Sequence, residues 1–187
     1  MQVKQQIALA VFLIWIAVTS YFLYDTVWGN YGLFDEKRQW ATVAALNLTP
    51  QDIQLETSAG LQLVHVFSAG CSCNRYTAAH IAELTSALTA DTLTADSLTA
   101  DSLTTDNLQA VISVETLAAA GLAVPATPMA LIFEHGRLIY AGPYATGPLC
   151  SVDNSLLADI LSGRQILAGL WLNGETKACR CIASNAP

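Results

Sequence analysis

Ile7 to Tyr24 is an 18-residue run without a charged side chain. As a helix it reaches the lower limit for crossing a bilayer, because apolar side chains then cover a backbone whose hydrogen bonds are all internal. Lys4 and the amino terminus precede the run and Asp25 comes directly after it. Positive-inside reasoning leaves the N-terminus in the cytoplasm and exports the rest. Trp15, Tyr21, Phe22 and Tyr24 suit a retained anchor with aromatics near the membrane interface. Val18-Thr-Ser20 is a weak small-residue cleavage site, so a removed signal peptide is the rival reading, and a buried core helix is the third.

The chain beyond the run is acidic. Residues 25–187 hold seven Lys and Arg against fifteen Asp and Glu, a net charge of −8. That balance argues against nucleic acid and anionic lipid surfaces as partners. Five cysteines in an exported domain favour disulfides, and an odd count leaves at least one thiol over. The organisation expected is an anchor (1–24), a membrane-proximal segment (25–59), one α/β domain (60–162) and a cysteine-bearing tail (163–187). Trp28, Tyr31, Phe34 and Trp40 are too many aromatics for a bare tether, so part of that segment is expected to pack on the domain.

Within the domain, Leu61 to Phe67 reads as a strand, broken at Gly70. Asn74 to Leu88 reads as a helix, with Tyr76, Ala79, His80, Ile81 and Leu84 along one face. Cys71-Ser-Cys73 lies at the junction. A helix N-terminus favours the thiolate, the form that attacks disulfides, and Arg75 adds positive charge. A second thiol two residues on can resolve a mixed disulfide, and a Cys-X-Cys ring is small enough to be strained and reducible.

Residues 87–108 carry a five-residue repeat: Ala90-Asp-Thr-Leu-Thr94, Ala95-Asp-Ser-Leu-Thr99, Ala100-Asp-Ser-Leu-Thr104, decaying at Thr105. A period of five winds its leucines round a helix instead of forming one stripe. The tract is also too short to stack as a solenoid and lacks a calcium-loop pattern. It reads as a solvent-facing insertion. Beyond it come a strand (109–114), a short helix (115–121), Thr127-Pro128, and a strand (129–133) turning at His135-Gly136 into its return (137–141). A helix spans 151–161, with Ser151 or Asp153 as its cap.

This order resembles a thioredoxin-like domain, most closely at Leu61–Leu88, Val111–Gly142 and Ser151–Leu161. The anchor, the Cys-X-Cys-Asn junction, a later lone cysteine and a terminal Cys-X-Cys together resemble an uncharacterised bacterial group of such domains. The resemblance implies a central mixed sheet flanked by helices, a cis bond before Pro128, and Thr127 and Pro128 holding an extended substrate. It implies Cys71 as nucleophile and Cys73 as resolving thiol. The usual spacing is Cys-X-X-Cys, so here Asn74 takes the customary second-cysteine position. His65 falls where many members keep a buried proton carrier, although a satisfied core histidine is the plainer reading.

For Cys150, Cys179 and Cys181 the simplest expectation is one bridge from Cys150 to Cys179 or Cys181, pinning the tail, with the remaining thiol as a relay. The activity expected is thiol–disulfide exchange with exported protein or small-thiol clients and a membrane electron donor. The setting is the inner membrane with the domain facing the periplasm or cell exterior. No cofactor or resident metal is called for. The alternatives are a Cu(I)-type soft-metal protein built on the two Cys-X-Cys pairs, and a non-catalytic peptide-binding module. Neither a phosphate-binding glycine loop nor a paired-carboxylate pattern is present in the sequence.

Overall fold

In the computed structural model, residues 2–42, 47–92 and 109–183 are described. A long helix α1 (Gln2–Trp28) contains a 24-residue stretch, Val3–Thr26, long and apolar enough to cross a membrane and unburied by the rest of the chain. After β1 (Tyr31–Leu33) the elements are β2 (Leu61–Phe67), α2 (Asn74–Thr92), β3 (Gln109–Ser113), α3 (Val114–Ala119), β4 (Ala126–Thr127), β5 (Met129–Glu134), β6 (Arg137–Gly142), α4 (Leu156–Leu161), β7 (Trp171–Leu172), β8 (Lys177–Cys179) and β9 (Cys181–Ile182). The repeat from residue 93 onward lies outside the described residues.

The protein is mixed α/β. Among the described residues the main sheet runs β3-β2-β5-β6-β7, with β2 parallel to β3 and antiparallel to β5. The first five residues of β5, Met-Ala-Leu-Ile-Phe, are fully buried because the strand is central and covered on both faces. Alternation sorts them: Met129, Leu131 and Phe133 join Val64 and Val66 on one face. Ala130 and Ile132 join Leu63 on the other. The first face is closed by Val114 and Leu117 of α3 and by Phe34 and Trp40 of the membrane-proximal segment. Leu84 of α2 and Leu157 and Ile160 of α4 close the second.

At the β5–β6 hairpin, Phe133 pairs with Leu138 and Ile132 with Tyr140, so Ile139 is an extra residue on its strand. That bulge sends Leu138 to one core and Tyr140 to the other. His135 (φ 50°) and Gly136 (φ 75°) both occupy the left-handed region that a two-residue hairpin turn requires.

Several boundaries differ from the sequence reading. Val114 opens α3 instead of closing β3, because Ser113 Oγ accepts the Thr116 N–H as an N-cap. The helix expected over 151–161 is broken in two. Ser151 caps a short 3-10 turn (Val152–Asn154), and Ser155 then caps α4 by accepting from Ala158 N–H. The tail carries β7, β8 and β9, each held by a partner strand elsewhere in the chain.

Candidate disulfide centre

Four of the five cysteines meet where β2 gives way to α2. Gly70 takes φ 76°, turning the chain out of β2 into Cys71-Ser-Cys73. Asn74 Nδ2 donates to Ser68 O at 2.9 Å and fixes the bend, while Tyr76 and Thr77 N–H both donate to Cys73 O as the helix begins. From the other side comes the tail. Strand β8 pairs antiparallel with β1, setting Cys179 opposite Tyr31, and β9 pairs with β4, setting Cys181 opposite Thr127. Cys179 and Cys181 are two residues apart on an extended chain, so both thiols can face the same neighbour.

The result is two parallel cross-links, Cys71–Cys181 and Cys73–Cys179, each with 5.8 Å between Cα atoms. This corrects both cysteine expectations: Cys71 and Cys73 are not joined to each other, and Cys150 is not bridged to the tail but remains a buried thiol. The physical reason is the strand pairing. It brings both tail sulfurs to the helix start at unstrained separations, whereas a Cys-X-Cys ring must bend the backbone.

The two bonds differ in exposure. Cys73 is fully buried and Cys179 nearly so. Cys71 is as buried as Cys179 (8% and 7% exposed), so the difference lies at Cys181, which is half-buried. A pocket of about 230 Å³ opens beside the outer bond, lined by Ser68, Gly70, Cys71, Glu115, Cys181 and Ile182. Two larger grooves, about 820 and 850 Å³, lie along Trp40–Asn173 and Thr49–Leu170, and neither is lined by a cysteine.

Thr127 and Pro128 sit against the outer bond. The Thr127–Pro128 peptide is cis, Cys71 Sγ lies 3.5 Å from Thr127 O, and Thr127 Oγ1 is 2.6 Å from Ser68 Oγ. Arg75 Nε donates to Ser72 O at 3.3 Å, and its guanidinium lies over the ring of Tyr76, which packs against the cysteine cluster. His65 is buried in a chain of its own. Tyr144 Oη–H donates to His65 Nδ1 (2.7 Å), His65 Nε2–H donates to Gln109 Oε1 (3.2 Å), and Gln109 Nε2 donates to Thr85 Oγ1 (3.0 Å). Burial holds the His65 pKa below the ordinary histidine value, with the Gln109 bond opposing. Both ring nitrogens are thus spent on Tyr144 and Gln109, not on a cysteine.

Cys150 adopts the left-handed φ of 50°. His80 Nδ1–H donates to its carbonyl at 2.9 Å, and Thr77 Oγ1 stands 3.7 Å from its sulfur. Burial pushes its thiol up to about 11, so at neutral pH it is protonated and a poor nucleophile. Its contacts tie the loop before α4 to the middle of α2.

Sequence reasoning missed three contributors. Asn30 Nδ2 donates to Ser72 Oγ at 2.8 Å, and Asn30 O accepts from Arg180 N–H at 2.7 Å. The Arg180 side chain, between the two tail cysteines, pairs with Glu36 at 2.8 Å. The signal available was the crowding of Trp28, Tyr31 and Phe34, which already implied that this segment packs.

A family model described as a domain of unknown function, DUF6436, matches residues 38–183. The chain belongs to that family. The DUF6436 match takes in all five cysteines and leaves out the apolar helix α1. No curated protein and no solved structure matches the chain.

Proposed function

We propose that this is a membrane-anchored, thioredoxin-like thiol–disulfide exchange protein working on the exported side of a bacterial inner membrane. The order β2-α2-β3-α3-β5-β6-α4 and the sheet order β3-β2-β5-β6 support the thioredoxin-like reading. The apolar helix and the oxidised cysteines support export. The observation that carries the function is the inequality of the two disulfides: one borders an open pocket next to Thr127, while the other, with Cys73 fully buried, does not line that pocket.

Exchange begins at the outer bond. A client thiolate attacks Cys71 Sγ, the Cys71–Cys181 bond breaks, and Cys181 leaves as a thiolate that takes up a proton. The client's second thiol then attacks its own sulfur in the mixed disulfide. The client becomes a disulfide, Cys71 becomes a thiol, and two electrons have passed to the pair. The same steps reversed reduce a client disulfide, so direction is set by the potential of the partner couple. The sulfurs of Cys71, Cys73 and Cys181 lie within 4.8 Å of one another. A freed Cys71 thiolate therefore attacks Cys73 Sγ, forming Cys71–Cys73 and releasing Cys179. One bond is exchanged for another without net redox; Cys73 is the attacked sulfur and Cys179 the leaving thiolate, so Cys73, while bonded to Cys179, is not itself a free resolving thiol. β9 occupies the backbone edge of Ala126 and Thr127, so a client extends along Thr127 and Pro128 as that pairing opens.

The test is stepwise reduction of the oxidised full-length chain by a dithiol peptide, with alkylation and mass mapping at intervals. The expected result is loss of Cys71–Cys181 before Cys73–Cys179, formation of peptide disulfide, and, with a single-thiol peptide, a Cys71–peptide adduct trapped by alkylating the freed Cys181. Unchanged exchange in Cys71→Ser, or loss of Cys73–Cys179 while Cys71–Cys181 is still intact, would overturn the reading.

A further inference from the structure

We propose that when both bonds are reduced, Cys71, Cys73, Cys179 and Cys181 form a binding site for one soft d10 cation, Zn(II) or Cu(I). This reading stands apart from client exchange, since it needs only the reduced cluster. Three of the sulfurs already lie within 4.8 Å of one another, and the fourth is bonded to Cys73. In a tetrahedral thiolate site, metal–sulfur bonds of about 2.3 Å put neighbouring sulfurs roughly 3.8 Å apart. The bonded pairs must open to that spacing and the remaining contacts close to it. Cys71, Cys73 and Cys181 need only small side-chain movements, whereas Cys179 stands outside that group and must swing in from its place beside Cys73.

The scaffold that fixes those positions does not depend on the disulfides alone. Cys179 is held by β8 on β1 and Cys181 by β9 on β4. Cys73 is anchored by the first turn of α2. The ligands are all soft sulfur, the set that selects thiophilic ions over calcium or magnesium. His65 and His80 are hydrogen-bonded elsewhere and do not compete. The centre is also mostly shielded from water: Cys71, Cys73 and Cys179 are buried. Buried thiols resist ionisation, and a cation removes that penalty by replacing their protons.

The chemistry balances in two stages. Two equivalents of a dithiol, or of a phosphine with water, supply four electrons and four protons and convert two disulfides to four thiols. The cation then binds the sulfurs as thiolates and the displaced protons go to solvent. Two equivalents of a small-molecule disulfide then accept four electrons and leave as four thiols, forming both S–S bonds again and expelling the ion. The same four atoms therefore hold either two covalent cross-links or one metal, never both.

Full-length chain in detergent, reduced with a phosphine under anaerobic conditions, is titrated separately with Zn(II) and Cu(I) against a chromophoric chelator of each. The expected result is one ion per chain, release on reoxidation, and affinity lowered about 100-fold or more in Cys71→Ser and Cys181→Ser. Cys150→Ser should leave binding unchanged. Cys179→Ser separates the ions: a four-sulfur Zn(II) site loses affinity as the other variants do, while a three-sulfur Cu(I) site keeps it. Co(II) loading of the unmutated chain gives a readout independent of any variant, with intense thiolate charge-transfer absorption expected. No such absorption, binding by the oxidised chain equal to the reduced one, or affinity indifferent to Cys71→Ser and Cys181→Ser would each overturn the proposal.

Discussion

Removing the two disulfides one at a time should cost far less than removing both. Cys71–Cys181 spans 110 residues and Cys73–Cys179 spans 106, and the second is nested inside the first. In the chain-entropy picture, a single bond closing a loop of that length contributes about 4.8 kcal/mol at 25 °C. Once either is made, the other closes only a ring through residues 71–73 and 179–181. A ring of about six residues contributes about 2 kcal/mol on the same scale. Either pair replaced by alanine should therefore lower stability by about 2 kcal/mol, a fall in Tm of about 4–8 °C for a chain of this size. Replacing all four should cost about 7 kcal/mol, comparable with the whole stability of an ordinary domain. The variants are Cys71→Ala/Cys181→Ala, Cys73→Ala/Cys179→Ala and the fourfold combination, each as full-length chain. Near-ultraviolet circular dichroism tracks the packed aromatic core during heating. A fourfold variant whose loss merely equals the sum of the two pairs would refute the nested arrangement.

Asp35→Ala should lower stability by about 1–2 kcal/mol, since its buried carboxylate accepts from Gln39 N–H (2.9 Å) and Trp40 N–H (2.7 Å) and so caps the turn that seats Trp40; thermal unfolding reads it directly. Stability should fall as pH drops through about 6.5. Burial depresses the pKa values of His65 and His80, so in this window the unfolded chain binds more protons than the folded one. Tm measured from pH 7.5 to 5 should drop, and drop less in His80→Asn; an identical slope would remove His80 from the account. Cys150 should resist iodoacetamide at pH 8 in the folded chain and react on unfolding, because burial both covers it and raises its thiol to about 11; rapid native labelling seen by mass spectrometry would contradict this.

The elements legible in the sequence were those whose side chains repeat with their own backbone period. Leu61–Phe67 and Met129–Glu134 are long enough to show β-rich apolar runs, and His135-Gly136 has the backbone freedom a tight hairpin demands. The strands β7, β8 and β9 have two or three residues each and carry no period at all. They exist because Tyr140, Tyr31 and Thr127 stand ready to pair with them. The same nonlocality hid the cysteine pairing: spacing says which thiols are near in sequence, whereas the bond partners were chosen by strand pairings that set Cys179 opposite Tyr31, 148 residues away, and Cys181 opposite Thr127, 54 residues away. The Cys71–Thr127 proximity was expected from the thioredoxin-like resemblance, and it arises because Cys71 follows β2 while Thr127 directly precedes β5, the strand paired with β2.

Tyr31, the partner of Cys179, comes three residues after Trp28 ends α1. Three extended residues reach about 11 Å at most. With α1 embedded in lipid, the sulfur cluster is leashed to the headgroup layer and cannot patrol the surrounding fluid. Under the membrane-anchored function proposed above, clients docked on, or themselves seated in, the same bilayer would be the ones within its range.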